Sequence, residues 1–278
     1  MMVSLCNEVL RELDFPAQCA LAKGLGYDGL EIAPFTLSGE PHRLSAARRA
    51  ELRRIAEDHG LAITGLHYLL LAPPGLSITS PDAVVGTRTT DVMRALIELG
   101  ADLGGKVLVH GSPKQRSVAP GQSKAEALEN AKACFAAIAE DAEAAGVLYC
   151  IEPLAASDAE LINTVEEAAA IVEAIGSAAV RTMIDTCAAG RSERSPIPEL
   201  IEHWLPTGKV AHIHLNDPNR RGPGQGDLRF GPILAVLQRH GYPGICAIEP
   251  FVYEPDGPTC AARAIGYVQG LREGMTAH

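Results

Sequence analysis

The sequence is first informative for what it leaves out. No stretch concentrates Lys or Arg, and the formal charge is −10 over 278 residues. A phosphate backbone or an anionic membrane surface would be repelled by most of such a surface, so neither nucleic acid nor membrane is an expected partner. No run approaches the roughly 18 apolar residues of a spanning helix, and the opening MMVSLCNEVL has neither a basic region nor a long apolar segment. That pattern reads as a cytoplasmic protein. The seven cysteines sit singly in apolar stretches, Cys134, Cys150, Cys187 and Cys246 among them, with no CxxC spacing. They read as buried reduced thiols. No linker-like stretch divides the chain, and its 47% hydrophobic content can fill one large core. One domain over 1–273 with a short tail at 274–278 is expected. A GxGxxG motif after the first strand-like run is also missing, which weakens a doubly wound dinucleotide fold.

What is present is an alternation. Short runs rich in Val, Ile, Leu and Tyr recur near 2–6, 28–33, 62–69, 106–111, 147–152, 180–185, 209–215 and 244–249. Between them lie longer segments of helical periodicity, such as 45–60 and 123–146, the second opening with Ser123 and Glu126 as a capping box and ending at Gly146. Eight strand and helix units in about 250 residues predict an α/β fold, a single-domain (β/α)8 TIM barrel.

The last residue or two of each expected strand is polar: Asn7, Glu31, His67, His110, Glu152, Asp185, His214 and Glu249. In a barrel these positions converge on the C-terminal face, where active sites are built. The tripeptide IEP occurs twice, at 151–153 and 248–250, each time closing an apolar run, so two glutamates from strands 5 and 8 face one mouth. One acidic residue after a strand is ordinarily a solvated turn or a helix cap. Eight polar ends in register are harder to explain that way. His212 shares a face with His214 one layer deeper and reads as a buried, hydrogen-bonded histidine, while Asn7 and Glu31 read equally well as supporting partners.

Glu152, Asp185, His214 and Glu249 bring three carboxylates and one imidazole together. Converging negative charges call for a cation. One divalent ion per chain is expected, with Mn²⁺, Mg²⁺ or Co²⁺ suited to the oxygen-rich set and Zn²⁺ able to compete.

These motifs, IEP after strand 5, MIDT after strand 6, HIHLND followed by Arg220 and GPGQGD after strand 7, and GYPGICAIEP at strand 8, resemble the xylose isomerase-like TIM barrel superfamily. Within it the chain is most similar to sugar isomerases and to ketose 3-epimerases of the tagatose and psicose type; GYDGLEI at strand 2 extends the likeness over nearly the whole chain. The resemblance implies Glu152, Asp185, His214 and Glu249 as metal ligands, Glu152 and Glu249 as the catalytic acid/base pair, and Arg220 as a substrate contact, with His67, His110 and Asp158 also read as substrate-binding. It implies a small sugar or keto-sugar substrate, metal-dependent proton abstraction alpha to a carbonyl, and packing of barrels into homodimers or homotetramers. The chain departs from the epimerase pattern at Ala188, where a histidine is usual, and at Ala155, Ala156 and Asp158. The loop HGSPKQR offers Lys114, Gln115 and Arg116 to a phosphate or carboxylate, or is simply solvated. Three rival readings stand beside the isomerase or epimerase. One is a lyase or dehydratase of a keto-sugar, keto-inositol or dehydroshikimate type. Another is an apurinic endonuclease, whose extra zinc-ligand positions are matched by His67 and His110 but whose further histidines are replaced here by Ala188 and Arg229, and the third is a noncatalytic sugar-binding subunit.

Overall fold

In the computed structural model, which describes residues 1–276, β1 (Met2–Cys6), β2 (Gly29–Ile32), β3 (Ala62–Leu66), β4 (Val107–His110), β5 (Leu148–Ile151), β6 (Val180–Asp185), β7 (Val210–His214) and β8 (Ile245–Ile248) form a closed barrel in chain order. Every neighbouring pair is parallel, and β8 closes onto β1 through Met2–Ile245 to Leu5–Ile248. Each strand falls inside its expected range. The strands are nearly continuous apolar runs because helices cover the outside while side chains fill the axis, leaving neither face to water. The covering layer comprises α1 (Phe15–Leu25), α2 (Ala46–Asp58), α3 (Ala83–Asp102), α4 (Lys124–Ala136), α5 (Ala139–Ala145), α6 (Val165–Ile175), α7 (Thr186–Ser192), α8 (Ile197–Trp204), α9 (Phe230–Arg239) and α10 (Gly257–Thr276).

Local chemistry sets the helix ends. Ser45 caps α2, and Ser123 with Glu126 forms a complete capping box on α4. Gly146 ends α5 in the left-handed conformation. The single helix expected over 123–146 is two helices. The interruption falls at Ala137 and the fully buried Ile138, where no glycine or proline marks it in the sequence. At the C-terminus α10 takes in residues 274–276 of the expected tail, and 277–278 lie outside the described residues. All seven cysteines are buried and unpaired, and no described helix is long and apolar enough to cross a membrane.

Period-two alternation divides each strand between axis and helix layer. Val107, Val109, Cys150 and Met183 form a small apolar cluster separate from the main core, as expected of residues facing the axis. Two residues beyond Cys150 comes Glu152, and two beyond Met183 comes Asp185. The register shift between β6 and β7 lets Met183 pair with His212 and Asp185 with His214. An extra residue in one strand re-aims the side chains beyond it. His214 in turn pairs with Ala247, two residues short of Glu249.

Where strands touch most closely, only glycine fits. A Cβ on Gly65 would lie 2.2 Å from the Val107 carbonyl oxygen of β4, whereas one on Gly86, inside α3, would meet nothing within 4 Å. Gly65→Ala should therefore lower the melting temperature severely or prevent folding. Gly86→Ala should stabilise by about 0.5–1 kcal/mol through lower backbone entropy of the unfolded chain. Thermal unfolding of the two variants beside the wild type measures both, and a neutral Gly65→Ala would contradict this packing.

Candidate active site

Glu152, Asp185, His214 and Glu249 each present a ligand atom, all within 4.8 Å of one another, and all four residues are buried. His214 Nδ1 lies 2.9 Å from Glu249 Oε2 and 4.0 Å from Glu152 Oε1. The other ring nitrogen, Nε2, lies 3.0 Å from Glu31 Oε1. Both ring nitrogens can donate to these carboxylates in the imidazolium; with Nε2–H kept on Glu31, loss of the Nδ1 proton would turn a lone pair toward Glu152 and Glu249, the arrangement that orients a metal-ligating histidine. Glu31 Oε2 sits 2.9 Å from His212 Nε2, one layer deeper. Burial alone would raise the Glu31 pKa, but His212 and His214 outweigh it and hold the carboxyl well below its usual range. Burial likewise disfavours the His214 imidazolium, yet Glu249 and Glu31 raise its pKa well above the usual value.

Asp185 has two functions. Its Oδ1 accepts from Ala188 N at 2.6 Å, capping α7, and its Oδ2 accepts from Asn216 Nδ2 at 2.6 Å. Asn216 Oδ1 also accepts from Glu249 N at 2.8 Å, and Thr186 Oγ1 brackets the Asn216 backbone. Asn216 thus ties the end of β6 to the end of β8. Nothing in HIHLND singled it out beforehand except its position two residues beyond His214.

Glu152 lies against Gly111, where a Cβ would come within 1.7 Å of Glu152 Oε2. Burial and then the Glu249 charge push the Glu152 pKa well above normal, and burial pushes that of Asp185 to about 6. Three buried carboxylates at this spacing hold protons or a cation. The donor set of carboxylate oxygens with one oriented imidazole nitrogen fits a divalent ion, and Glu152, Asp185, His214 and Glu249 would hold it. Cys6 and Glu8 adjoin this set. The Cys6 thiol, raised by burial and by Glu31, offers no thiolate.

The remaining expected residues divide. His67 is buried beside the cluster, with Nε2 2.8 Å from Glu8 Oε2 and 4.0 Å from Glu249 Oε1. Asp158 lines the cavity, but both its oxygens engage Arg191, at 2.6 and 3.3 Å, latching the loop after β5 onto α7. Arg220 lines the same cavity, its guanidinium 5.1 Å from the centre of the Phe251 ring. His110 does not reach the mouth. It alternates with the axis-facing Val109, turns into the helix layer, lies 2.9 Å from Tyr149 OH through Nδ1 and packs edge-on against Phe135 at 5.1 Å. The structure thus does not bring His110 to the cavity with the other expected residues. Asn7 likewise turns aside to Ala33 N, Gln18 and Thr36, and Glu8, one residue on, enters the site. Arg116 is no phosphate hook. It is fully buried, donating from its two terminal nitrogens to the His110 and Glu152 carbonyl oxygens at 2.7 Å each, a brace across the ends of β4 and β5.

A cavity of about 350 Å³ opens above the cluster, with Glu152, Asp185 and Glu249 on its wall and Ala188, Tyr68 and Arg220 around them.

The chain is 29% identical over 245 residues to a D-psicose 3-epimerase of Ruminiclostridium cellulolyticum, covering 87% of this chain and 80% of that protein. It is 29% identical over 206 residues to an L-ribulose 3-epimerase of Mesorhizobium japonicum, covering 73% and 66%. A crystal structure of a D-psicose 3-epimerase in the presence of D-fructose superposes with a TM-score of 0.83 at 21% identity, over 98% of this chain and 99% of that one, and so shares the fold. The sequence profile of the xylose isomerase-like TIM barrel matches residues 19–271, so the chain belongs to that family.

Proposed function

We propose that this protein is a divalent-metal-dependent sugar isomerase or epimerase that moves a proton alpha to a carbonyl. The observation that carries the reading is the meeting of Glu152 and Glu249, from opposite parts of the chain, around His214 Nδ1 on the wall of a cavity. A bound Mn²⁺, Mg²⁺ or Co²⁺, with Zn²⁺ as a competitor, supplies Lewis acidity toward the carbonyl oxygen, which makes the neighbouring C–H acidic enough to ionise. Glu152 and Glu249 then serve as the acid/base pair: one carboxylate takes the proton and the other returns it. Return to the opposite face of the planar carbon inverts it, and return to the adjacent carbon exchanges aldose for ketose. Arg220 reaches the cavity as a substrate contact. The likeness to psicose and ribulose 3-epimerases supports a sugar substrate. The small Ala188 on the cavity wall, where a histidine is usual in ketose epimerases, makes an unmodified hexose a poorer fit than a bulkier or modified sugar. The endonuclease reading loses a further ligand position because His110 faces the helix layer.

Elemental analysis of the purified protein should find about one divalent ion per chain, since one set of three carboxylates and His214 is available. Asp185→Asn should weaken Mn²⁺ binding, with activity recovered at saturating metal. Glu31→Gln, which leaves every ligand in place but loosens His214, should weaken it by about 10–100-fold. Two or three tightly held zinc ions per chain would sink the assignment.

The acid/base pair is tested by solvent exchange. Glu152→Gln and Glu249→Gln should each cut turnover by roughly 10²–10⁴-fold while retaining much of the metal, because an amide oxygen coordinates but carries no proton. Incubation of the metal-loaded protein in D₂O with ketoses, keto-acids and keto-inositols, followed by NMR, identifies the activated carbon. For a two-base epimerase the single variants should retain exchange on opposite epimers. Exchange by both variants at the wild-type rate would remove the glutamates from the mechanism, and loss of water from the product would point to a lyase.

A further inference from the structure

Backbone strain is concentrated at the mouth of the barrel. Among the described residues, three that are not glycine have a left-handed φ: Tyr68 at 54°, Ile162 at 62° and Arg220 at 70°. Tyr68 and Arg220 line the cavity with Glu152, Asp185 and Glu249. Ile162 closes, through its carbonyl to Leu154 N at 3.0 Å, the loop that brings Ser157 and Asp158 to the same wall. A bulky aromatic is ill-suited to that conformation, which Gly or Asn adopts readily. Such outliers persist where surrounding structure enforces them, and they gather at functional sites.

Burial does not explain the tyrosine, since the residue is only half-buried. Its ring is nonetheless held in place. Phe35 and Phe251 stand nearly perpendicular to it, at 88° and 76°, with centroids 6.2 and 6.4 Å away, and His67 approaches at 6.0 Å. Phe251 is itself held by Arg220, whose guanidinium covers its ring and whose carbonyl accepts from Phe251 N at 2.8 Å. The Tyr68 hydroxyl has no hydrogen-bond partner among the described residues. Burial, with the charges of Glu249 and Glu152, raises its pKa far above the usual value, so the phenol remains a donor at neutral pH.

We propose that Tyr68 is a substrate-contacting residue that sets specificity: its O–H donates a hydrogen bond to an oxygen of the sugar held over Glu152 and Glu249, while its ring and Phe251 form the apolar wall beside the sugar's C–H face. This rests on the sugar reading of the site. The strained backbone aims the ring, and the aromatic neighbours keep it from turning away.

The test uses the full-length, Mn²⁺-loaded protein and two variants, with D-fructose, D-psicose, D-tagatose and L-ribulose as probes. Tyr68→Phe should melt within about 2 °C of the wild type and bind Mn²⁺ equally well. For whichever probe the wild type exchanges in D₂O, it should raise KM by about tenfold with a smaller change in kcat, the loss of one hydrogen bond to substrate. Tyr68→Asn relieves the strain and should melt no more than about 4 °C below the wild type. Unchanged KM and kcat in Tyr68→Phe would overturn the proposal, as would a larger fall in melting temperature for Tyr68→Asn, which would make the ring a structural keystone. If the wild type exchanges none of the four sugars, unmodified ketoses are not its substrates, an outcome separate from the role of Tyr68. The melting comparison then still decides whether tyrosine is kept at position 68 against stability.

Discussion

A surplus of buried negative charge governs the whole mouth of this barrel. Glu8, Glu31, Glu152, Asp185 and Glu249 are all buried there, and a buried carboxylate is stable only when paired, protonated or bound to a cation. The fold answers in layers. Deepest, His212 and His214 flank Glu31 and keep it ionised. At one side Glu8 faces His67 at 2.8 Å. Behind Glu152, Arg116 places a fixed positive charge against the backbone, with no carboxylate within ion-pair distance among the described residues. What these partners leave uncompensated is the set Glu152, Asp185 and Glu249, and the single imidazole among them is already oriented by Glu31. It is this remainder, rather than any one residue, whose charge a divalent ion would neutralise.

The periodic part of this arrangement was legible in the sequence. Alternating apolar runs located all eight strands, and counting to the last residue of each located Glu152, Asp185, His214, Glu249, Glu31 and His67, because a parallel barrel brings every strand end to one rim. Single-residue phase was less legible. His110 ends its strand as His214 does, yet Val109 occupies the axis face of β4, so the adjacent His110 turns outward. In the same way Asn7 turns aside and Glu8 points in. The polar residue at a strand end is readable, but which of two neighbours faces the axis depends on register, and register is set by bulges such as the one between Thr182 and Met183 that leave no compositional mark. Arg116 shows a second limit. A basic residue in a loop reads as solvated or ligand-binding, and only the packed structure reveals two strand-end carbonyls waiting for its fork.

Two kinds of backbone meet at the site, and they carry different duties. The charged cluster stands on strand ends and is braced by Asn216, Thr186 and Arg116, so its geometry is inherited from the sheet. The cavity wall above it is built from loops: Tyr68 just past β3, Arg220 past β7, and the segment after β5 latched by Asp158 and Arg191. Loops tolerate replacement where strands do not. The alanines at positions 155 and 156 lie in the loop after β5, away from the strand ends that carry the acidic set, whereas Ala188 stands on α7 beside Asp185. The charged cluster and the cavity wall thus rest on separate elements, strand ends for the first and mainly loops for the second.

Asp185 is where the two meet, and its double engagement has a physical consequence. One oxygen caps α7 through Ala188 N and the other is held by Asn216, which also fixes the Glu249 backbone. These bonds are complete in the protein alone. They hold two of the four clustered residues in place on folding, so an ion bound there would have little ordering left to impose. A ligand set carried on flexible loops would have to be ordered by the ion itself. Here the frame is already built, and a cation bound in it would mainly relieve the repulsion among Glu152, Asp185 and Glu249 that burial creates.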